Sequence, residues 1–212
     1  MKRRIYVGML ALLLLAGCSE EAEPVANAAA NEETAIPAYF DGYVVSPQVT
    51  DDRTVQKVGQ SFRDLRGGIE LKAVNTELPG YEIGGIEVTI HEAKILHLQP
   101  EYSMIDFFHS YTHETEFDMV KYFVEITNTT DEVLKFAPAA IVKTDSGETK
   151  TWEEEIYLEE LNGDIQPGET KKGNIGFILE EPGAESLTLT TSDVFSAEDE
   201  KLEDAQEIQI DF

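Results

Sequence analysis

Cysteine is almost absent from this sequence: among 212 residues only Cys18 carries a thiol. A single thiol forms no internal disulfide and cannot share a metal with a second one. Basic residues are scarce too, 16 Lys and Arg against 42 Asp and Glu, a formal charge of −26 at pH 7. That balance excludes the basic patches that phosphates reward, and with them nucleic acid as a partner. It also disfavours adhesion of the protein surface to anionic lipid. No G-x-S-x-G elbow, S-x-x-K, P-loop or dinucleotide fingerprint is present, and no nucleophile–base pair stands out. The chain is therefore not expected to be an enzyme, and no cofactor is implied.

What is present begins at the N terminus. Lys2-Arg3-Arg4 precedes the apolar run "IYVGMLALLLLAG", which ends at Cys18 and the acidic Ser19-Glu20-Glu21. The run is short of the roughly 20 residues that cross a bilayer, and its charged start and small-residue end have the form of a secretory signal. Leu15-Ala16-Gly17-Cys18 resembles the lipobox of bacterial lipoproteins. The resemblance implies that residues 1–17 are a signal peptide and that the Cys18 thiol takes a diacylglyceryl group. Acyl chains contribute about 0.8 kcal/mol per buried methylene, so two signals of this kind hold a soluble domain stably. The expected location is the extracytoplasmic face of the cell membrane, with the membrane engaged through the lipid. Without Lys2, Arg3 and Arg4, 13 basic residues face 42 acidic ones, a mature charge of −29. Such a surface is either a solvated, self-repelling one or attracts cations and basic partners.

Residues 18–38, "CSEEAEPVANAAANEETAIPA", are small and acidic; they bury too little apolar area to order themselves and read as a flexible tether. The expected folded domain is 39–212, with 39–67 as a mixed lead-in. Tyr43-Val44-Val45 suggests a short strand there. Val55, Val58, Phe62 and Leu65 suggest one or two helical turns or a packed loop.

From Gly68 the period is two. "GIELKAV", "GIEVTIHEAKIL" and "MVKYFVEITN" alternate, with Ile86, Val88 and Ile90 on one face, and Val120, Tyr122, Val124 and Ile126 on another. Asn128-Thr129-Thr130-Asp131 is a turn cluster before "VLKF", and Asp145-Ser146-Gly147 makes a hairpin of "IVKTDSGETKTW". "GNIGFIL", "SLTLTT" and "EIQIDF" complete about seven to nine short strands, punctuated at Pro79-Gly80, Pro167-Gly168 and Pro182-Gly183. The fold class is all-β, an antiparallel sandwich. Glu153-Glu154-Glu155 and Glu159-Glu160 read as a solvated acidic face.

Three stretches carry a further resemblance: Val124 to Asp131; Asp145 to Gly147; and Ile165-Gln166-Pro167-Gly168-Glu169 through Gly173 to Phe177. Their order is similar to that in a domain family of Gram-positive surface lipoproteins of unassigned function, and covers roughly residues 80 to 190. The resemblance implies an immunoglobulin-like sandwich. It departs from the family after Leu98, where "QPEYSMIDFFHSYTHETEFD" (99–118) is longer than usual.

Loops on a rigid sandwich carry binding, so this insert is the candidate region. Phe107, Phe108 and Tyr111 form either a binding surface or a lid packed over the end of the sandwich. His109 and His113 are four apart, a spacing that on a helix would let both meet one metal beside a carboxylate. No third histidine lies near, and a polar loop is the plainer reading. The expected function is a non-catalytic, lipid-anchored binding or accessory domain, with a cell-envelope protein as partner. The alternative is a metal-binding or metal-delivery lipoprotein using the His109/His113 loop.

Overall fold

The computed structural model describes residues 35–212. The expected signal peptide, Cys18 and most of the tether lie outside the described residues. Alternating apolar residues give the strands. In chain order they are β1 (Ser61–Arg63), β2 (Gly67–Asn75), β3 (Gly80–Ile83), β4 (Ile86–Pro100), β5 (Phe117–Asn128), β6 (Leu134–Phe136) and β7 (Ile141–Thr144). Then follow β8 (Thr149–Thr151), β9 (Gly163–Ile165), β10 (Thr170–Leu179), β11 (Ser186–Thr190), β12 (Val194–Ser196), β13 (Lys201–Glu203) and β14 (Glu207–Asp211). A 3-10 turn (Tyr102–Met104) and a one-turn α-helix, α1 (Ile105–Phe108), lie between β4 and β5.

The nine segments read from periodicity are all strands. The five additional ones (β1, β3, β9, β12 and β13) are three or four residues long. Every pairing is antiparallel. The main sheet runs β1-β2-β4-β5-β10, with β3 also pairing β4; two four-stranded sheets run β14-β11-β7-β8 and β13-β12-β6-β9. The molecule is an all-β sandwich.

The front of the main sheet meets both smaller sheets. Ile90, Ala93, Ile95, Val120, Tyr122 and Val124 pack with Val142, Leu187, Leu189, Ile208 and Ile210. Ile83, Ile86, Val88 and Ile126 pack with Leu134, Phe136, Ile165 and Val194. A bulge at His91 sets Ile90 opposite Val124 and Glu92 opposite Phe123. The extra residue bends the strand and resets its phase. Beyond it Ala93 and Ile95 face front, while Glu92, Lys94, Leu96 and Leu98 face back.

The back of the sheet is buried as well. Ile69, Leu71, Leu96, Leu98, Phe117, Met119 and Ile178 lie beneath Val49, Val55, Phe108, Ile156 and Tyr157. Much of this cover is the 38–60 lead-in, which forms a strap across the sheet. Its Tyr43-Val44-Val45 segment is not a strand: Tyr43 turns inward to bond Glu159 and Asn174, while Val44 is exposed. No helix forms from Val55 to Leu65 either. Only Val55 of that set is buried, because two hydrogen bonds between the 59–60 turn and Leu71 hold the segment against β2 instead.

Candidate functional site: a groove beside an edge strand

β10 is an edge of the main sheet, pairing with β5 alone. In an antiparallel ladder alternate residues point their N–H and C=O groups away from the partner. On β10 those residues are Lys172, Asn174, Gly176 and Ile178, with Glu180 next in line. Exposed edges invite pairing with other chains and are usually blunted. Here carboxylates do it. Asn174 N–H donates to Glu159 (2.9 Å), Gly176 N–H to Glu155 (2.9 Å), and Glu180 N–H to Glu148 (2.9 Å). The Gly176 carbonyl accepts from Ile156 N–H at 3.0 Å.

Glu155 and Glu159 therefore do not belong to a solvated face, as their acidic context suggested. Burial pushes both carboxyls up, and it outweighs the backbone N–H groups of Tyr157, Gly176 and Leu158 at Glu155, and the Tyr43 hydroxyl at Glu159. Gly176 makes this packing possible: a Cβ there would stand 2.7 Å from both Met119 Cε and the Tyr157 ring.

At the far end of this edge a groove of about 620 Å³ opens between the insert and β10. Buried Phe117, Ile178 and Leu179 form its apolar base; Tyr111, His113, Glu114 and Glu116 of the insert, His97, Asp118, Lys150, Glu180 and the exposed Pro182 line it as well. His97 Nδ1 lies 2.7 Å from Asp118. Lys150 Nζ lies 3.1 Å from Glu180, 3.2 Å from Glu148 and 3.5 Å from Glu154. Burial opposes the charge on Lys150, but Glu180 and Glu148 override it and raise its pKa. The groove thus has an apolar base and a predominantly acidic rim.

The insert residues divide. Phe108 is buried and its ring packs on Phe117 at 5.1 Å. Phe107 packs on Phe108 at 5.0 Å and on Tyr111 at 5.6 Å. The three rings are fastened to the back of the main sheet, and Tyr111 alone of them reaches the groove. α1 ends at Phe108, so His109 and His113 share no helix; a turn brings their rings to 6.3 Å, and both are exposed. Among the described residues no three or more His, Cys, Asp or Glu converge as a metal site.

The most heavily buried charges escaped sequence reasoning. Lys121 Nζ donates to Asp52 (2.8 and 2.6 Å) and Glu92 (2.8 Å). Lys94 Nζ lies 2.9 Å from Asp52 and 2.8 Å from Glu92. Tyr39 and Gln56 close the other Glu92 oxygen at 2.6 and 3.2 Å. The four charged side chains are at most 4% exposed, and two acids balance two bases. Burial alone would raise the Asp52 and Glu92 pKa values; the ammonium groups, Lys121 foremost, hold both below the usual carboxylate range. Burial would likewise depress Lys121, yet Asp52 and Glu92 raise it. This tetrad fastens the strap to β4 and β5. One signal was available: in "AKILHL" and "FDMVKYFV" apolar residues occupy both phases, the mark of strands buried on both faces.

A β-sandwich with a strapped back face and an acid-rimmed groove at one sheet edge is the class these features define. The chain belongs to the family of the uncharacterized protein YdhF of Bacillus subtilis (strain 168). It is 42% identical to that protein over 235 residues, spanning 99% of this chain and 100% of the relative. No protein-family model matches the chain. Its fold is similar to the crystal structure of a functionally unknown protein from Listeria monocytogenes EGD-e, with a TM-score of 0.50 at 11% identity over 70% of this chain and 89% of that one.

Proposed function

We propose that this protein is a lipid-anchored, extracytoplasmic binding domain of the cell envelope, tethered through Cys18 and working through the groove without catalysing a reaction. The observation that carries the binding role is the groove itself. It is a concave site with an apolar base and charged walls, set on a sandwich whose main sheet is otherwise covered on both faces. The anchor rests on Leu15-Ala16-Gly17-Cys18, and on an acidic surface that gives the folded part no reason of its own to adhere to anionic lipid.

Radiolabelled palmitate tests the anchor. The parent should incorporate it and Cys18→Ala should not; normal labelling of the mutant refutes lipidation. A photo-crosslinking residue at position 111, on the groove wall, tests the binding role in intact cells. A discrete crosslinked envelope protein is expected, and it should be missing when the crosslinker is placed at exposed position 198. Identical products from both positions refute a binding role for the groove.

A further inference from the structure

Beside the groove the ladder of β10 has a gap in its cover. Carboxylates meet the outward N–H groups of Asn174, Gly176 and Glu180, standing in for the carbonyls of an absent neighbouring strand. Between the last two lies Ile178, whose N–H and C=O point the same way by the alternation of the ladder. Among the described residues neither group has a partner beyond the sheet. Ile178 is 7% exposed and lines the groove floor. An unpaired backbone donor and acceptor at a sheet edge, next to apolar side chains, is the element that strand addition uses.

The rim fixes the sign of what fits. Four lining carboxylates, Glu114, Glu116, Asp118 and Glu180, face one lining ammonium, Lys150, which Glu148 and Glu154 already help to neutralise. Glu116 and Glu180 have side chains 60% and 81% exposed; a ligand would share them with the Gln99 carboxamide at 3.2 Å and the Lys150 ammonium at 3.1 Å. The chain's own segment after Cys18, "SEEAEPVANAAANEET", is acidic and is repelled by such a rim, as is a second copy of a chain whose mature charge is −29. A bare metal ion would find no converging donor set here.

From these observations we infer that the groove takes an extended, lysine- or arginine-bearing peptide segment of another protein. The segment pairs with Ile178 through its backbone and sets basic side chains against Glu116 and Glu180. This assignment rests on the binding-domain reading above and adds the ligand class to it.

The test uses the full chain in non-ionic detergent at about 0.15 M salt, where charges more than about 8 Å apart are largely screened. The probes are fluorescent, end-blocked heptapeptides alternating lysine with valine, glutamate with valine, and lysine with valine carrying one central N-methyl amide. The lysine peptide should bind at least about tenfold more tightly than the glutamate peptide. N-methylation removes a donor and should weaken binding by about tenfold. Glu116→Lys with Glu180→Lys should weaken it as much, whereas Glu198→Lys with Glu200→Lys, exposed acids outside the groove, should change it less than about twofold.

Equal losses for the two charge-reversed pairs would reduce the effect to general attraction by an acidic surface and overturn the assignment. An unaffected N-methyl peptide would overturn the strand pairing. If position 111 still crosslinks an envelope protein while the lysine peptide fails to bind, the ligand class is wrong and the binding role stands. If both fail, both are wrong.

Discussion

Replacing Lys121 by Met keeps the length of the side chain and removes its charge from the middle of the tetrad. Three contacts of 2.6–2.8 Å disappear, and Asp52 and Glu92 are left buried with Lys94 alone. Breaking one partner out of a buried ion pair costs about 3–5 kcal/mol, because the remaining charge has lost both water and its counter-ion. Domains of this size shift by about 2–4 °C per kcal/mol, so the melting temperature should fall by roughly 6–20 °C.

The pH response should change sign. In the parent, Asp52 and Glu92 have folded pKa values below their unfolded ones. Their contribution is complete above about pH 4–5 and is lost as pH falls toward the depressed values. Lys121 is shifted upward, so its contribution is complete below about pH 10 and is lost above it. The parent should therefore be flat from about pH 5 to 9 with respect to this cluster. In Lys121→Met one carboxylate has lost its compensating charge and sits beside another, which raises its folded pKa above the unfolded value. That variant should gain stability as pH drops from 8 to 5. Asp52→Asn added to Lys121→Met restores charge balance and should recover much of the loss and abolish the slope. Urea unfolding followed by circular dichroism measures all of this. A Lys121→Met cost under about 1 kcal/mol, with the pH dependence of the parent, would show that the tetrad does not hold the strap.

Gly176→Ala should destabilise the fold by about 1–3 kcal/mol, because its Cβ meets Met119 and Tyr157 at 2.7 Å; thermal melts check this, and a neutral result would mean that the Tyr157 loop shifts freely. Zinc titrated into the full chain by calorimetry should give the same weak heats in the parent and in the double variant His109→Ala, His113→Ala, since two exposed rings 6.3 Å apart lack a third ligand. Micromolar binding lost in the double variant would restore the metal-delivery reading.

The front of the sandwich was legible because its signals are local. Val120, Tyr122, Val124 and Ile126 alternate and all face front. Asn128 marks a turn for a visible reason: its carboxamide oxygen accepts from Thr130 N–H at 2.9 Å. The back was illegible because it is assembled across the chain. Lys94 and Lys121 find Asp52 from 42 and 69 residues away, and a charged residue inside an alternating strand reads locally as solvent-facing. The groove was half legible. The insert drew notice as the place for binding, and Tyr111 and His113 do line it. The lining residues Lys150 and Glu180, and the open edge position at Ile178, depend on pairing that period and composition do not encode.

The bulge at His91 has a consequence for how such a sandwich changes over generations. Before it, Ile86 and Val88 serve the packing layer shared with Val194 and Phe136; around and after it, Ile90, Ala93 and Ile95 serve the other layer. The elbow in β4 is thus aligned with the seam between the two smaller sheets. Removing residue 91 would leave Ile90 facing front, Glu92 back and Ala93 front, as they are now, and would straighten the strand while losing the stack of the His91 ring on Tyr39 at 4.9 Å. A lineage can therefore gain or lose this one residue without turning any core side chain toward water. What it alters is the angle at which the two halves of the sandwich meet, a hinge of shape that is open to drift.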